Sequence, residues 1–233
     1  TRFDQDFDGD DYKGPNPNEY AIYTLEPGTI VYGADYTSFI GSNNDYVTFY
    51  DDPYMGVDLA PFSYIRTGAN TGNFTEGAGT EFYYYGTGTY PARSTAVTFT
   101  SPNSAIRDYD GNVYTFTSPE NLAPTSLAGK YAYANGVGYS NLYGGYSSYS
   151  NVTFSTSSSG TYYGDLTLPI NYTYQKVGPR KGRMNATAYD PTYGSVDVSY
   201  VYFFLTVSSG YYVGVETFAS GLIQTNWGTF DIY

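Results

Sequence analysis

The chain opens on TRFDQDFDGDD, its densest run of chemistry: Asp4, Asp6, Asp8, Asp10 and Asp11, with Phe3 and Phe7 between them. Asp4-x-Asp6-x-Asp8-Gly9 offers oxygen ligands at positions 1, 3 and 5 of a hand-type calcium loop, and the glycine at position 6. Position 12 is Pro15 instead of the bidentate Glu that closes such a loop. With the closing ligand missing, the expectation is no cofactor, and calcium held by Asp4, Asp6, Asp8 and Asp10 is the alternative this run raises. A shorter Asp-x-Asp-Gly at Asp108–Gly111 reads first as a turn between strands.

The same opening run also has the pattern of a strand. Extended, it places Phe3, Gln5 and Phe7 on one face and Arg2, Asp4, Asp6 and Asp8 on the other. Such a strand gains little alone. Added to an open sheet edge of another subunit, it gains main-chain hydrogen bonds and pockets for its rings. Burial of two Phe side chains contributes about 3–6 kcal/mol before ordering costs.

Other chemistry is limited. The chain has no His and no Cys, which excludes imidazole bases, thiol nucleophiles, His-ligated metals and disulfides. Glycoside hydrolysis needs only two carboxylates, and Glu76 with Glu81, or Asp108 with Asp110, could form a pair. Acids beside glycine turns usually stay solvated, and no cofactor motif or phosphate-cradling loop accompanies them. The expectation is a protein that is not an enzyme.

Positive charge is concentrated at Lys176, Arg180, Lys181 and Arg183, four of the 10 basic residues. This is either a solvated turn or an acceptor patch that orients the acidic arm of a neighbouring copy. The net charge of −12 argues against nucleic-acid binding, which needs many phosphate-neutralising side chains. It suits solubility or attraction of cations. Sequons at Asn73, Asn151, Asn171 and Asn185 are glycosylation candidates if the chain is secreted.

The elements that must position these residues read as strands. Aromatics make up 20% of the chain, with 32 Tyr, and 27 Gly and 12 Pro punctuate short apolar runs. Tyr, Thr, Val and Phe favour the pleated sheet, and no stretch keeps a helical period. No apolar run reaches the roughly 18 residues needed to span a membrane. No charged-then-apolar leader opens the chain, which fits either a protein made without one or a mature product of cleavage.

An internal repeat divides the chain. YIRTGANTGNF (Tyr64–Phe74) lies over YQKVGPRKGRM (Tyr174–Met184) at an offset of 110 residues, pairing Tyr64 with Tyr174, Arg66 with Lys176, Gly68 with Gly178 and Gly72 with Gly182. LEPGTIVYG (Leu25–Gly33) resembles SLAGKYAYA (Ser126–Ala134), DYVTFY (Asp45–Tyr50) resembles SNVTFS (Ser150–Ser155), and AVTFTSPNS (Ala96–Ser104) resembles FFLTVSSGY (Phe203–Tyr211). A period this long means tandem domains. The predicted strands of the second half are 129–135, 150–156, 161–167, 170–176, 183–189, 196–207 and 211–218, with 228–233 closing. Short strands with Gly, Asn and Ser turns predict an all-β fold: two tandem related small antiparallel β-barrels or sandwiches behind an N-terminal extended arm. The divisions are 1–22 (arm), 23–121 and 122–233, with NEYAIYTL (Asn18–Leu25) favoured as a first strand of its own barrel.

LAGKYAY, NVTFS, YTYQKVGPRKGRM and VYFFLTVSSGYYVG together resemble a recurrent small β-barrel repeat of bacterial secreted proteins, over nearly all of 124–233 and more loosely over 23–118. Chains of this size also resemble protomers of extracellular fibrils built by donor-strand exchange. The resemblance implies a secreted structural subunit that polymerises with copies of itself. The inserted strand would then carry Phe3, Gln5 and Phe7, and Lys176, Arg180, Lys181 and Arg183 would receive it. The alternative is a monomeric surface adhesin or carbohydrate-binding module. Tyr83-Tyr84-Tyr85, Tyr162-Tyr163, Tyr211-Tyr212 and the single Trp227 would supply its rings, although cross-strand stacking is the commoner use of such pairs.

Overall fold

A computed structural model describes residues 19–22, 24–41 and 45–233. It is all-β and contains two eight-stranded antiparallel barrels in tandem. No described helix is long and apolar enough to cross a membrane.

The second barrel is the more regular. Its strands are β11 (Tyr131–Ser140), β12 (Gly144–Thr153), β13 (Ser159–Tyr163), β14 (Thr167–Lys176), β15 (Lys181–Asp190), β16 (Gly194–Phe204), β17 (Ser209–Phe218) and β18 (Ile223–Ile232). Each pairs with the next, and β18 returns to β11 through Ala132↔Ile232 to Ser140↔Gln224. Every cross-strand pair joins two residues of the same parity. One parity therefore faces inward all round the barrel, and it is the even one: Val152, Ile170, Tyr172, Met184, Tyr202, Phe204, Tyr212 and Phe230 form the core.

The first barrel reaches the same plan with interrupted strands. β1 (Ile30–Tyr32), β2 (Tyr36–Ile40), β3 (Asp45–Tyr50) and β4 (Val57–Arg66) follow one another. β5 (Thr71–Glu76) and β6 (Gly79–Tyr83) then share one edge of β4, opposite Phe62–Arg66 and Val57–Leu59 respectively. β7 (Gly86–Tyr90) and β8 (Arg93–Ser101) return against β6 and β5. β9 (Ser104–Arg107) and β10 (Val113–Phe116) complete the wall, and β10 closes on β1 through Val31↔Phe116. Ten segments thus make eight staves. One break faces Pro61, which has no N–H to donate; its carbonyl accepts from Gly77 N at 2.8 Å.

The duplication is visible in hydrogen bonds. Thr67 N to Thr71 O and Val177 N to Lys181 O, each 2.9 Å, close the same turn in the two barrels. Ala21 N donates to Ala69 O (3.0 Å) as Ala123 N donates to Pro179 O (2.9 Å), and Phe99 N to Asn70 O as Phe204 N to Arg180 O. Tyr64 lies over Gly72 and Tyr174 over Gly182, so closely that a Cβ on either glycine would fall within 2.5 or 2.2 Å of the ring or its hydroxyl. Two of the four sequence matches fall on equivalent hairpins, and a third falls on the plug and first strand of each barrel. The fourth is a strand out of step: DYVTFY is β3, while SNVTFS ends β12, and the chain-order partner of β3 is β13.

The reading of Asn18–Leu25 as a first strand is corrected. Its described part forms no strand. Ala21 is buried and Tyr20, Ile22 and Leu25 pack against the core, so the segment plugs the end of the first barrel. Ala123 and Leu127 do the same in the second.

The barrels share a third core. Ile30, Phe39, Phe49 and Val57 from the outer wall of the first pack on Val137, Phe203, Val213 and Trp227 from the second. Phe49 stacks on Tyr211 at 4.8 Å and 18°, and Trp227 Nε1 donates to Pro53 O at 2.9 Å. Phe203 and Trp227 are each 2% exposed, and burial at that level stabilises by roughly 1.5–3 kcal/mol per large side chain.

Candidate functional site

Where the two walls diverge they leave a groove of about 600 Å³. From the first barrel, β3, β4 and β6 contribute Val47, Leu59 and Phe82; from the second, β16 and β17 contribute Val201 and Val215. These residues point outward because β4 and β16 alternate, with Phe62, or Tyr200 and Tyr202, occupying the cores. Leu59, Phe82, Val201 and Val215 remain half-buried, so the floor is apolar and open to solvent. Lys181 and Arg183 stand on its rim.

This is where the structure places part of the basic cluster. Lys181 Nζ pairs with Asp45 across the junction, and Asp45 Oδ1 is buried without a partner. Arg183 is exposed and takes no part in the ion pairs among the described residues. The other two basic residues are used inside the chain. Arg180 is 4% exposed; it donates to Gly28 O (2.9 Å), Phe204 O (3.1 Å), Leu205 O (3.1 Å) and Glu120 Oε2 (2.7 Å), tying the two barrels to their connection. Lys176 Nζ donates to Ala123 O and holds the second plug.

The acids considered for catalysis are spread over the first barrel. Glu76 on β5 accepts from Arg93 Nε at 2.5 Å. Glu81 on β6 stands opposite Asp58 on β4. Asp58 is 5% exposed, accepts from Tyr50 Oη at 2.8 Å and lies 3.5 Å from Arg93. Burial raises the Asp58 and Glu76 carboxyls above the ordinary range; Tyr50 and Arg93 pull Asp58 back, and Arg93 pulls Glu76 back. Asp108 accepts from Thr98 at 3.0 Å, and Asp110 pairs with Arg107, which lowers its carboxyl. The structure therefore brings Asp58 and Glu76 to Arg93, sets Glu81 opposite Asp58, and leaves Asp108 and Asp110 on a turn. Asp58 was not singled out from sequence. Its signal was available: in VDLAPFSY it shares the inward phase of Ala60, Phe62 and Tyr64.

The sequons all lie on strands. Asn73 and Asn151 are half-buried, with Asn73 Nδ2 donating to Ser94 Oγ at 2.8 Å and Asn151 Oδ1 unpartnered. Asn171 and Asn185 are exposed on adjacent strands, Asn171 opposite Thr187 and Asn185 opposite Thr173. With Asp197, Ser199 and Thr217 they line a second, polar groove of about 660 Å³ on the outer wall of the second barrel. Trp227 is committed to the inter-barrel core, and so is Tyr211 of the Tyr211-Tyr212 pair.

Phe3, Gln5 and Phe7, with Asp4, Asp6, Asp8 and Asp10, lie outside the described residues. Among the described residues no group of three acids stands where a metal ion could be held. No family model and no curated protein matches this chain.

Proposed function

We propose that the chain is a structural subunit that assembles with copies of itself into an extracellular filament, the acidic arm of one copy lying in the inter-barrel groove of the next. The observation that carries this reading is the closure of both barrels. Each already has eight staves, so a ninth strand has no vacancy to fill, whereas the groove offers half-exposed apolar side chains beneath a basic rim. An extended residue 1–8 segment has the complementary pattern, Phe3 and Phe7 on one face and Asp4, Asp6 and Asp8 on the other. Arm and groove are different surfaces, and a head-to-tail contact of that kind generates an open filament unless its rotation closes a ring.

The test is electron microscopy of the full chain beside Arg183→Glu and Val201→Asp. Filaments from the parent that are lost in both variants support the reading; filaments unaffected by either remove the groove from it. A monomeric adhesin or carbohydrate-binding module is the second reading. It is favoured by the polar groove of Asn171, Thr173, Asn185, Thr187 and Asp197, whose amides, hydroxyls and carboxylate suit sugar hydroxyls.

A further inference from the structure

With 32 Tyr and no Cys, any covalent brace between the strands must come from chemistry other than a disulfide. Two turns at one end of the second barrel bring a pair of tyrosines together. Tyr143 ends the β11–β12 turn and Tyr193 ends the β15–β16 turn. Both turns are built the same way. Ser140 Oγ accepts from Leu142 N (3.1 Å) and Tyr143 N (3.2 Å); Asp190 Oδ1 accepts from Thr192 N (2.7 Å) and Tyr193 N (2.9 Å). A glycine in the left-handed region follows each tyrosine, Gly144 at φ +76° and Gly194 at φ +84°.

The hydroxyls of Tyr143 and Tyr193 lie 2.8 Å apart, across 50 residues of chain. The β17–β18 hairpin is the footing between them. Its Ile223 N donates to Asn141 Oδ1 (2.9 Å), Asn141 Nδ2 donates to Gly221 O (3.1 Å), and Ser220 N donates to Tyr193 O (3.2 Å). The Tyr193 ring also packs edge-on against Phe218 at 5.7 Å. Three hairpins are thus fixed to one another, and the tyrosine pair bridges the outer two. Tyr143 is 60% exposed and Tyr193 is half-buried, so a dissolved oxidant reaches the pair.

We propose that Tyr143 and Tyr193 are an oxidative cross-linking site, joined by a dityrosine bond when the chain meets a haem peroxidase and hydrogen peroxide. Each phenol gives up one electron and its hydroxyl proton. The two phenoxyl radicals couple at a ring carbon beside the oxygen, which forms one carbon–carbon bond. The hydrogen on each coupled carbon then moves as a proton to its own ring's oxygen and restores the phenol. Hydrogen peroxide takes up both electrons and both protons and leaves as two waters. The contact between the hydroxyls selects this pair, because it sets the ring carbons that flank them within a small side-chain rotation of one another. A link across 50 residues acts as a disulfide of that span does, by restricting the unfolded chain.

The test is peptide mass mapping of the full chain after treatment with a haem peroxidase and hydrogen peroxide, on the material that runs as a single chain in a denaturing gel. A peptide pair joining Tyr143 to Tyr193, two hydrogens lighter than the sum of its parts, is the expected product, and the treated chain should unfold at a higher temperature than the untreated one. Tyr143→Phe and Tyr193→Phe should each lose both the pair and the rise, with their folds before oxidation checked by circular dichroism. Tyr85 and Tyr109, 77% and 71% exposed, are the controls for accessibility alone. Absence of the pair, or a yield no greater than that of links through Tyr85 or Tyr109, overturns the site. An undiminished rise in Tyr143→Phe does so as well.

Discussion

At the scale of single residues, the structure turns on glycines beneath rings and on carboxyls inside barrels. Gly182 lies so close under Tyr174 that any side chain must displace the ring. Gly182→Ala should destabilise by about 1–3 kcal/mol, the usual cost of overpacking, read as a lower urea midpoint at unchanged slope. Glu216 gives a pH signature. Burial holds its folded carboxyl above the ordinary value, which is about 4.3 in an unfolded chain. Between those two values the folded state keeps a proton that the unfolded state has lost. Stability therefore falls as pH rises through that window and is recovered on acidification toward about 4. Asp58 and Glu76 act in the same sense. Glu216→Gln should flatten the profile: the variant is the more stable protein at neutral pH, and the gap closes near pH ~4. A variant less stable than its parent at neutral pH would contradict the assignment. Asp58 and Glu216 were both legible in sequence, since each breaks an apolar inward phase, but they were masked by the more conspicuous acids of the turns.

At the scale of elements, every strand of the second barrel was found from sequence, though most were predicted too short. The reason is visible at residues 136–149, where Gly136, Gly138, Gly144 and Gly145 suggested a loop. They sit inside β11 and β12 because Tyr146 covers Gly138 and Tyr84 of the first barrel covers Gly145; local propensity yields to packing there. β16 turns from alternating to continuous apolar residues along its length, because its C-terminal half is covered on both faces. Val201 and Phe203 face the first barrel while Tyr202 and Phe204 face the interior. The first barrel was less legible because its pairings mix parities and its long hairpin is interrupted. The plugs escaped the strand pattern altogether, being irregular chain. Leu127, 1% exposed, anchors the second of them. Leu127→Ala should cost about 2–5 kcal/mol, measured by denaturant unfolding, whereas Leu25→Ala, at a half-buried position, should cost less.

At the scale of the whole molecule, the sequence repeat announced two domains and could not announce that they share a core. Phe203, Phe39, Phe49 and Trp227 join the barrels, and Arg180 pins both to their connection. Calorimetry should accordingly show one unfolding transition for the parent. Phe203→Ala should lower it by about 3–5 kcal/mol and separate the barrels into two transitions. The same junction creates the groove on which the assembly proposal rests. The most direct test compares, by electron microscopy, the full chain with a version lacking residues 1–10. Filaments from the full chain and dispersed particles from the truncated one are the predicted result; filaments from both, or dispersed particles from both, would contradict it.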